Sequence, residues 1–493
     1  MSTAQELRGL LRLRVLQQFA LVMLLAGVAW RSFQLKFSVL DLDIWWHLKV
    51  GDWIVQHLAV PHTGILSRTA ADRPWVAYSW GYEVMLSRAF AWFGLLGVGV
   101  FGTLLTVAVT FAVYWMARRL SGRFWISWLL AAVTCSAFLF DIMPRPGVLS
   151  IVLFTVTLAL ILKAQRTGQV RTLYWLPAIF LCWANLHIQF IYGLFLVGLL
   201  LGVNLVQRVA ARLGMEIAIL APPTLSAGAL AAVFGACVAA TLAGPNSYHL
   251  YGVIASYSRA KVSYSMIVEL QALSFRSYSN YVELLLAAAA FYMVGWQRRI
   301  DLFKLALLVI GSVVAFRTMR DAWFLCIPAA ACLADAPCED ADREVRETPF
   351  ELVGVFAMAA LATVLFAREA EFTTRGLDRA ITGTFPVKAV NFLRRNPQPG
   401  PLYNTFDWGG FLMWYMPQYP VAIDGRNDLY GDEMDERFYR TQSGDLSYKT
   451  DPSLMESGVI LLRKTDGLVY SLSLDPSFQR IYEDELATVF VRR

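Results

Sequence analysis

Apolar runs long enough to cross a membrane recur through the first three quarters of the chain, and no other feature constrains the fold as much. A bilayer span needs about 20 apolar residues. Roughly eleven stretches meet that rule, near residues 15–33, 94–117, 124–140, 147–163, 172–187, 189–206, 217–243, 281–297, 302–317, 321–334 and 350–367. Charged residues are 16% of the chain and hydrophobic residues 57%, against about 25% charged in a typical soluble protein. So few charges cannot cover a soluble surface. The expected fold is a mostly α, polytopic membrane protein.

Orientation follows from Lys and Arg, which gather on the cytoplasmic side of membrane proteins. Arg8, Arg12 and Arg14 precede the first stretch, and Arg118, Arg119 and Arg123 follow the second. Lys163, Arg166 and Arg171 follow the fourth, Arg208 and Arg212 the sixth, and Arg298, Arg299 and Lys304 precede the ninth. Every second connection is basic, so the N-terminus is expected inside and, after an odd number of spans, the C-terminus outside. The formal net charge of +6 therefore does not point to nucleic acid. The first stretch is long, lacks a small-residue cleavage site and runs into a charged loop, which argues against a cleavable signal peptide.

Residues 1–367 form the expected membrane domain. Its first outside loop is 34–93, and residues 368–493 form an expected extracytoplasmic α/β domain. That tail holds 15 basic and 18 acidic residues, so it is at −3 and the remainder at +9. Its turns Asn396-Pro397 and Pro399-Gly400, with apolar runs at Gly458–Leu462 and Leu486–Val491, suit a small sheet. The cysteines (Cys135, Cys182, Cys237, Cys326, Cys332, Cys338) fall in the spans or on the cytoplasmic side, so no disulfide framework or zinc spacing is expected.

The first outside loop opens Asp41-Leu42-Asp43-Ile44-Trp45-Trp46-His47 and continues through His57, His62, Trp75, Trp80 and Glu83. In an extended segment Asp41 and Asp43 face one way and could share a cation such as Mg or Mn. If a helix instead begins at Asp43, Asp43 and His47 stand at i and i+4 on one face. The bland alternative makes Asp41 a helix cap and the Trp residues interfacial anchors. All five histidines (His47, His57, His62, His187, His249) fall on the expected outside.

Several polar residues lie at outer span ends: Asp141 and Arg145, Asn185 and His187, Asn246 and His249, Arg259, Lys261 and Glu269, then Arg317, Arg320 and Asp321. Basic residues there run against the positive-inside bias, and binding an anionic phosphate is one reason for them. The alternative is pairing with acids, such as Arg320 with Asp321. In the tail, Trp408-Gly409-Gly410 and Asp424-Gly425-Arg426 are turn-rich, and that turn chemistry favours a structural role. The apolar residues before Asp424 suit a buried strand.

The first span, the Asp41-Leu42-Asp43-Ile44-Trp45-Trp46-His47 segment, the Asn185-Leu186-His187 hairpin turn and the tail with Trp408-Gly409-Gly410 and Asp424-Gly425-Arg426 together resemble a bacterial branch of the GT-C superfamily of integral membrane glycosyltransferases. The resemblance implies an enzyme that moves a sugar from a polyprenyl-phosphate-linked donor to a lipid, glycan or protein acceptor. The expected place is the outer face of the bacterial cytoplasmic (inner) membrane. It implies a catalytic acid at Asp43 or Asp41, with His47 positioning. Some members use a divalent cation (Mg or Mn), for which Asp41 and Asp43 are the candidates. Arg145, Arg259, Arg317, Arg320, Asn185, His187, His249 and Glu269 are the substrate-binding candidates. The competing classes are a lipid or small-solute transporter and a non-catalytic assembly subunit. Polar residues at mid-span would favour the transporter.

Overall fold

The computed structural model describes residues 2–139, 143–215, 219–259, 267–336 and 347–493. Asp141, Lys261 and Cys338 lie outside that set. The chain is mostly helical with a small four-stranded sheet near its C-terminus. It divides into two compact units. Unit 1 holds Met1–Leu35, Gly102–Gly244 and Glu269–Glu371; unit 2 holds Lys36–Phe101, Pro245–Val268 and Phe372–Arg493. The expected first outside loop and the expected tail domain thus share one unit.

Among the described residues, four helices are long and apolar enough to cross a membrane: Leu11–Leu40, Trp80–Ser121, Gly147–Thr167 and Phe190–Arg212. Phe124–Phe138, Ala227–Thr241 and Pro349–Leu365 are shorter apolar helices. Backbone chemistry explains several ends. The second helix starts at Trp80 but kinks at Gly94, whose φ of 59° is costly for any residue with a Cβ, so the expected span start at 94 coincides with the kink. Pro222 and Pro223 delay the seventh helix until Ala227, where Ser226 caps it. The tenth stretch is a 12-residue helix, Trp323–Ala334, buried on nearly all sides. At about 18 Å it is shorter than the ~30 Å hydrocarbon core of a bilayer.

Polar side chains in unit 1 meet in two groups. Arg14 pairs with Glu351 at 3.1 Å, Arg118 with Glu347 at 3.0 Å, and Arg166 and Lys304 both pair with Asp335. All of these were expected at cytoplasmic span ends. Arg145 and Arg320, expected at outer ends, both approach Glu269.

Unit 2 contains the helix Ile44–His57 and the C-terminal sheet. The strands are β1 (Leu402–Asn404), β2 (Val459–Arg463), β3 (Phe478–Glu483) and β4 (Ala487–Arg492). Their order is β1-β2-β4-β3, with β1 parallel to β2 and the other pairs antiparallel. Leu402 stands opposite Val459, and Leu461 opposite Val489. The two apolar runs picked out by alternation are β2 and β4. Val421–Ile423 is buried as expected but is not a strand of the sheet. Its partner is the first loop: Arg68 N–H donates to Val421 O at 2.8 Å, and Val421 N–H to Leu66 O at 3.3 Å. The loop bond takes the place of a ladder.

Trp45 is a core residue rather than an interfacial anchor. Trp45 is 1% exposed and lies edge-on to Phe385, Phe411 and Tyr415, with centroids 5.3–5.8 Å away. Burying a side chain of about 200 Å² at about 25 cal/mol per Å² contributes ~5 kcal/mol of transfer free energy. The first-loop helix is therefore built into the tail's aromatic core.

Candidate functional site

The site is built on the start of the Ile44–His57 helix. Asp41 is buried, and its Oδ1 accepts the Asp43 N–H at 3.1 Å. That bond turns the chain, so Asp41 and Asp43 do not share the face of an extended segment. Asp43 takes the N-cap position with φ −86° and ψ −21°, but its side chain caps no helix N–H. Its Oδ1 instead accepts the Trp46 indole N–H at 3.1 Å, while its carbonyl accepts the His47 N–H at 3.2 Å. An Asp at this position normally gains about 1 kcal/mol by capping. Here the carboxylate is turned away from the helix end.

His47 is buried and its Nδ1 lies 3.1 Å from Glu83 Oε1. Trp46 leans on the His47 ring at 3.5 Å. The helix carrying Glu83 comes close because Gly51 faces its backbone: a Cβ at Gly51 would collide with Glu83 O. Glu83 Oε2 is buried without a hydrogen-bond partner among the described residues. Thirty-six residues separate His47 from Glu83, so no local spacing announced the pair.

The two tail motifs pack on this segment. A Cβ at Gly410 would lie 2.9 Å from Leu42 O and 3.2 Å from Trp46 N, and one at Gly425 would collide with Asp43 Oδ1. The expectation that they are structural turns leaves out this contact. Asp424 and Arg426 are 0% and 1% exposed and form an ion pair through both carboxylate oxygens, at 2.8 Å each. Tyr430 OH donates to Asp424 Oδ2 at 2.6 Å, and Arg426 Nη2 to Ile65 O at 3.0 Å. The guanidinium lies 4.8 Å over the Trp75 ring, whose Nε1 donates to Asp428 Oδ2 at 3.0 Å. Burial alone would lower the Arg426 pKa, but Asp424 beside it carries the value above the ordinary one. Burial pushes Asp428 up to about 6, against the pull of Trp75 and Arg426. Burial, with Asp432, Asp424 and Asp428 nearby, pushes Asp435 up to about 7. Sequence reading missed this charge group because its members looked like turn residues.

The binding candidates divide between the units. Arg145, Asn185, His187, Glu269, Arg317 and Arg320 belong to unit 1, and His249 and Arg259, both exposed, to unit 2. Arg145 Nη1 donates to Glu269 Oε1 at 3.3 Å and Arg320 Nη1 lies 3.6 Å from the same oxygen. Burial works against the Glu269 charge, yet the two guanidiniums hold its pKa below the usual value. Arg320 meets Glu269 and also acts on Asp321, as the sequence suggested; Asp321 Oδ2 accepts from Thr318 and Tyr192. His187 Nδ1 sits 2.9 Å from Ser150 Oγ, which also accepts from Trp183 Nε1. Asn185 Nδ2 donates to Leu181 O and Ala243 O, tying its helix end to the following turn. Arg317 is exposed at its helix end. His57 stacks on Trp53 and bonds its carbonyl, and His62 is exposed.

Among the described residues, no three His, Cys, Asp or Glu side chains are grouped to hold a metal ion. At the Asp41/Asp43 pair, one oxygen of each carboxylate already accepts an N–H. A cation there would have to use the other oxygen of each carboxylate.

No protein-family model and no curated protein matches the sequence. Among solved structures, the Archaeoglobus fulgidus oligosaccharyltransferase tethered to an acceptor peptide matches with a TM-score of 0.53 at 10% identity, over 90% of this chain and 69% of that one. AglB from the same archaeon, in complex with an inhibitory peptide and a dolichol-phosphate, matches with a TM-score of 0.52 at 11% identity over the same shares. ArnT from Cupriavidus metallidurans, bound to undecaprenyl phosphate, aligns over 95% of this chain and 97% of its own at 14% identity, but its TM-score of 0.46 is too low to mark a shared fold. What is shared with the archaeal enzyme at that identity is architecture: the chain has the fold of the archaeal oligosaccharyltransferase.

Proposed function

We propose that the chain is a membrane glycosyltransferase that moves a sugar from a polyprenyl-phosphate-linked donor to a lipid, glycan or protein acceptor. Its place is the extracytoplasmic face of a bacterial cytoplasmic membrane, with about eleven spans, the N-terminus inside and the C-terminal domain outside. The observation that carries this reading is the Asp43 carboxylate. It stands at a helix N-cap without capping and is held by the Trp46 indole. The shared fold and the dolichol-phosphate in the archaeal neighbour's complex support the donor class.

In this reading Asp43 takes the proton from an acceptor hydroxyl as its oxygen attacks the anomeric carbon. The new C–O bond forms as the bond from that carbon to the phosphate oxygen breaks, and polyprenyl phosphate leaves with the electron pair. Asp41 fixes the turn that presents Asp43. His47, seated on Glu83, buttresses Trp46. For the donor phosphate the candidates are Arg145, Arg317 and Arg320. Mg or Mn, if used, would be held by the oxygens of Asp41 and Asp43 that do not accept these N–H groups. The test is turnover of the purified full chain in nanodiscs with a panel of polyprenyl-phosphate monosaccharides. Asp43→Asn and Asp41→Asn should lose transfer while the protein stays folded; full activity in both would defeat the assignment.

One observation favours a second reading. Glu283 lies within the apolar Tyr278–Trp296 helix, is 1% exposed, and neither carboxylate oxygen has a partner among the described residues. A lone intramembrane carboxyl is a mark of translocation paths, so a transporter would lose flux in Glu283→Gln, whereas the transferase keeps its turnover.

A further inference from the structure

The Asp424-Gly425-Arg426 turn brings no nucleophile to the site, yet it is tied down on every side. Asp424 Oδ1 accepts both the Arg426 N–H and Nε–H, and Oδ2 accepts from Arg426 Nη2 and the Tyr430 hydroxyl. Just upstream, Asn404 at the end of β1 donates to Ile423 O at 2.8 Å and accepts the Ala422 N–H at 2.8 Å. Gly409 closes on the same segment, where a Cβ would collide with Ile423 O. A turn fixed by a buried ion pair and a strand-end amide does not yield when pushed.

Against this turn stands Asp43. Its Oδ1 occupies the space of a Gly425 side chain, and that same Cβ position is 3.3 Å from Trp46 Nε1, the donor to Oδ1. The carboxylate oxygen is therefore confined between the indole N–H and the glycine backbone. Gly425 has no positive φ, so the position demands absence of a side chain and nothing special of the backbone.

We infer that Gly425 is a positioning residue: the rigid Asp424-Gly425-Arg426 turn of the tail sets the orientation of the Asp43 carboxylate, so the tail supplies part of the catalytic geometry and is more than a docking surface for the acceptor. The inference rests on the reading of Asp43 as the base. A carboxylate displaced by about 1 Å costs on the order of 100-fold in rate.

The experiment compares wild type, Gly425→Ala, Trp46→Phe, Asp43→Asn and Gly383→Ala as full chains in nanodiscs. Gly383 is in the same tail with open space around its Cβ position. Turnover of the polyprenyl-phosphate monosaccharide panel is read beside the indole ¹⁵N–¹H resonance of Trp46, assigned by its loss in Trp46→Phe. Gly425→Ala should lower kcat about 100-fold with donor KM nearly unchanged, and move the Trp46 resonance; Gly383→Ala should do neither. Since both act through one oxygen, Trp46→Phe with Gly425→Ala should be no worse than the weaker single variant. Should Gly425→Ala fail to fold, Trp46→Phe alone must show the kcat loss. Full turnover of Gly425→Ala beside a silent Asp43→Asn would overturn this inference alone. Full turnover of Asp43→Asn would overturn the parent reading and this one with it, and an unmoved Trp46 resonance in Gly425→Ala would overturn the contact itself.

Discussion

Asp43 Oδ1 lies where a side chain on Gly425 would begin. The two residues belong to segments that the sequence separates by most of its apolar helices, and they meet in one compact unit. The contact makes a first-loop acid and a tail turn parts of one structure, and it sets what perturbation should do.

Trp45 packs the Ile44–His57 helix against Phe385, Phe411 and Tyr415 of the tail. Trp45→Ala should destabilise the protein by about 3–5 kcal/mol, read as a lowered thermal midpoint of the full chain in detergent. A loss under 1 kcal/mol would mean that the aromatic contacts with Phe385, Phe411 and Tyr415 are not a core.

The Asp424–Arg426 pair predicts asymmetry. Removing one partner leaves a buried charge uncompensated and costs about 3–5 kcal/mol. Asp424→Asn and Arg426→Leu should each reach that range, and the double variant should cost less than the sum of the two. Additive losses would show that the two side chains act separately.

Asp428 and Asp435 give a pH dependence with a fixed sign. Their folded pKa values of about 6 and about 7 stand above an unfolded value of about 3.9. The folded state therefore holds protons that the unfolded chain has released, and stability falls as pH rises from about 4 to about 7. Asp428→Asn and Asp435→Asn should each flatten that slope. Stability that rises across the window in wild type would contradict the burial of these carboxyls.

Trp46 Nε1 holds the Asp43 carboxylate and Asp41 holds the Asp43 N–H, so the proposed base needs no cation to orient it. Transfer activity should therefore survive EDTA within about two-fold. Loss with EDTA and recovery with Mg or Mn would contradict that.

Much of the helical part was legible because periodicity and composition act locally. The apolar runs at 147–163 and 189–206 lie within the Gly147–Thr167 and Phe190–Arg212 helices, and the C-terminal alternation gave β2 and β4. The seventh stretch was misjudged in extent because Pro222-Pro223 stops a helix, whereas the tenth, 321–334, matches the helix Trp323–Ala334. Asp41, Asp43 and His47 could be singled out by type and spacing, but what surrounds them is nonlocal. Glu83 reaches His47 from 36 residues away, and Gly425 reaches Asp43 from the tail; neither spacing has a periodic signature. Glu283 was visible as a lone acid in an apolar run and was passed over. Trp45 misled because an indole suits a headgroup layer and a protein core equally well.

The most direct measurement is release of free polyprenyl phosphate from the donor panel by the reconstituted full chain, wild type against Asp43→Asn. The account predicts release by wild type with at least one donor and a loss of about 10²–10⁴-fold in the variant, the usual contribution of a positioned acid–base group. Equal release by the two proteins, or none by wild type with any donor and acceptor mixture, would contradict it.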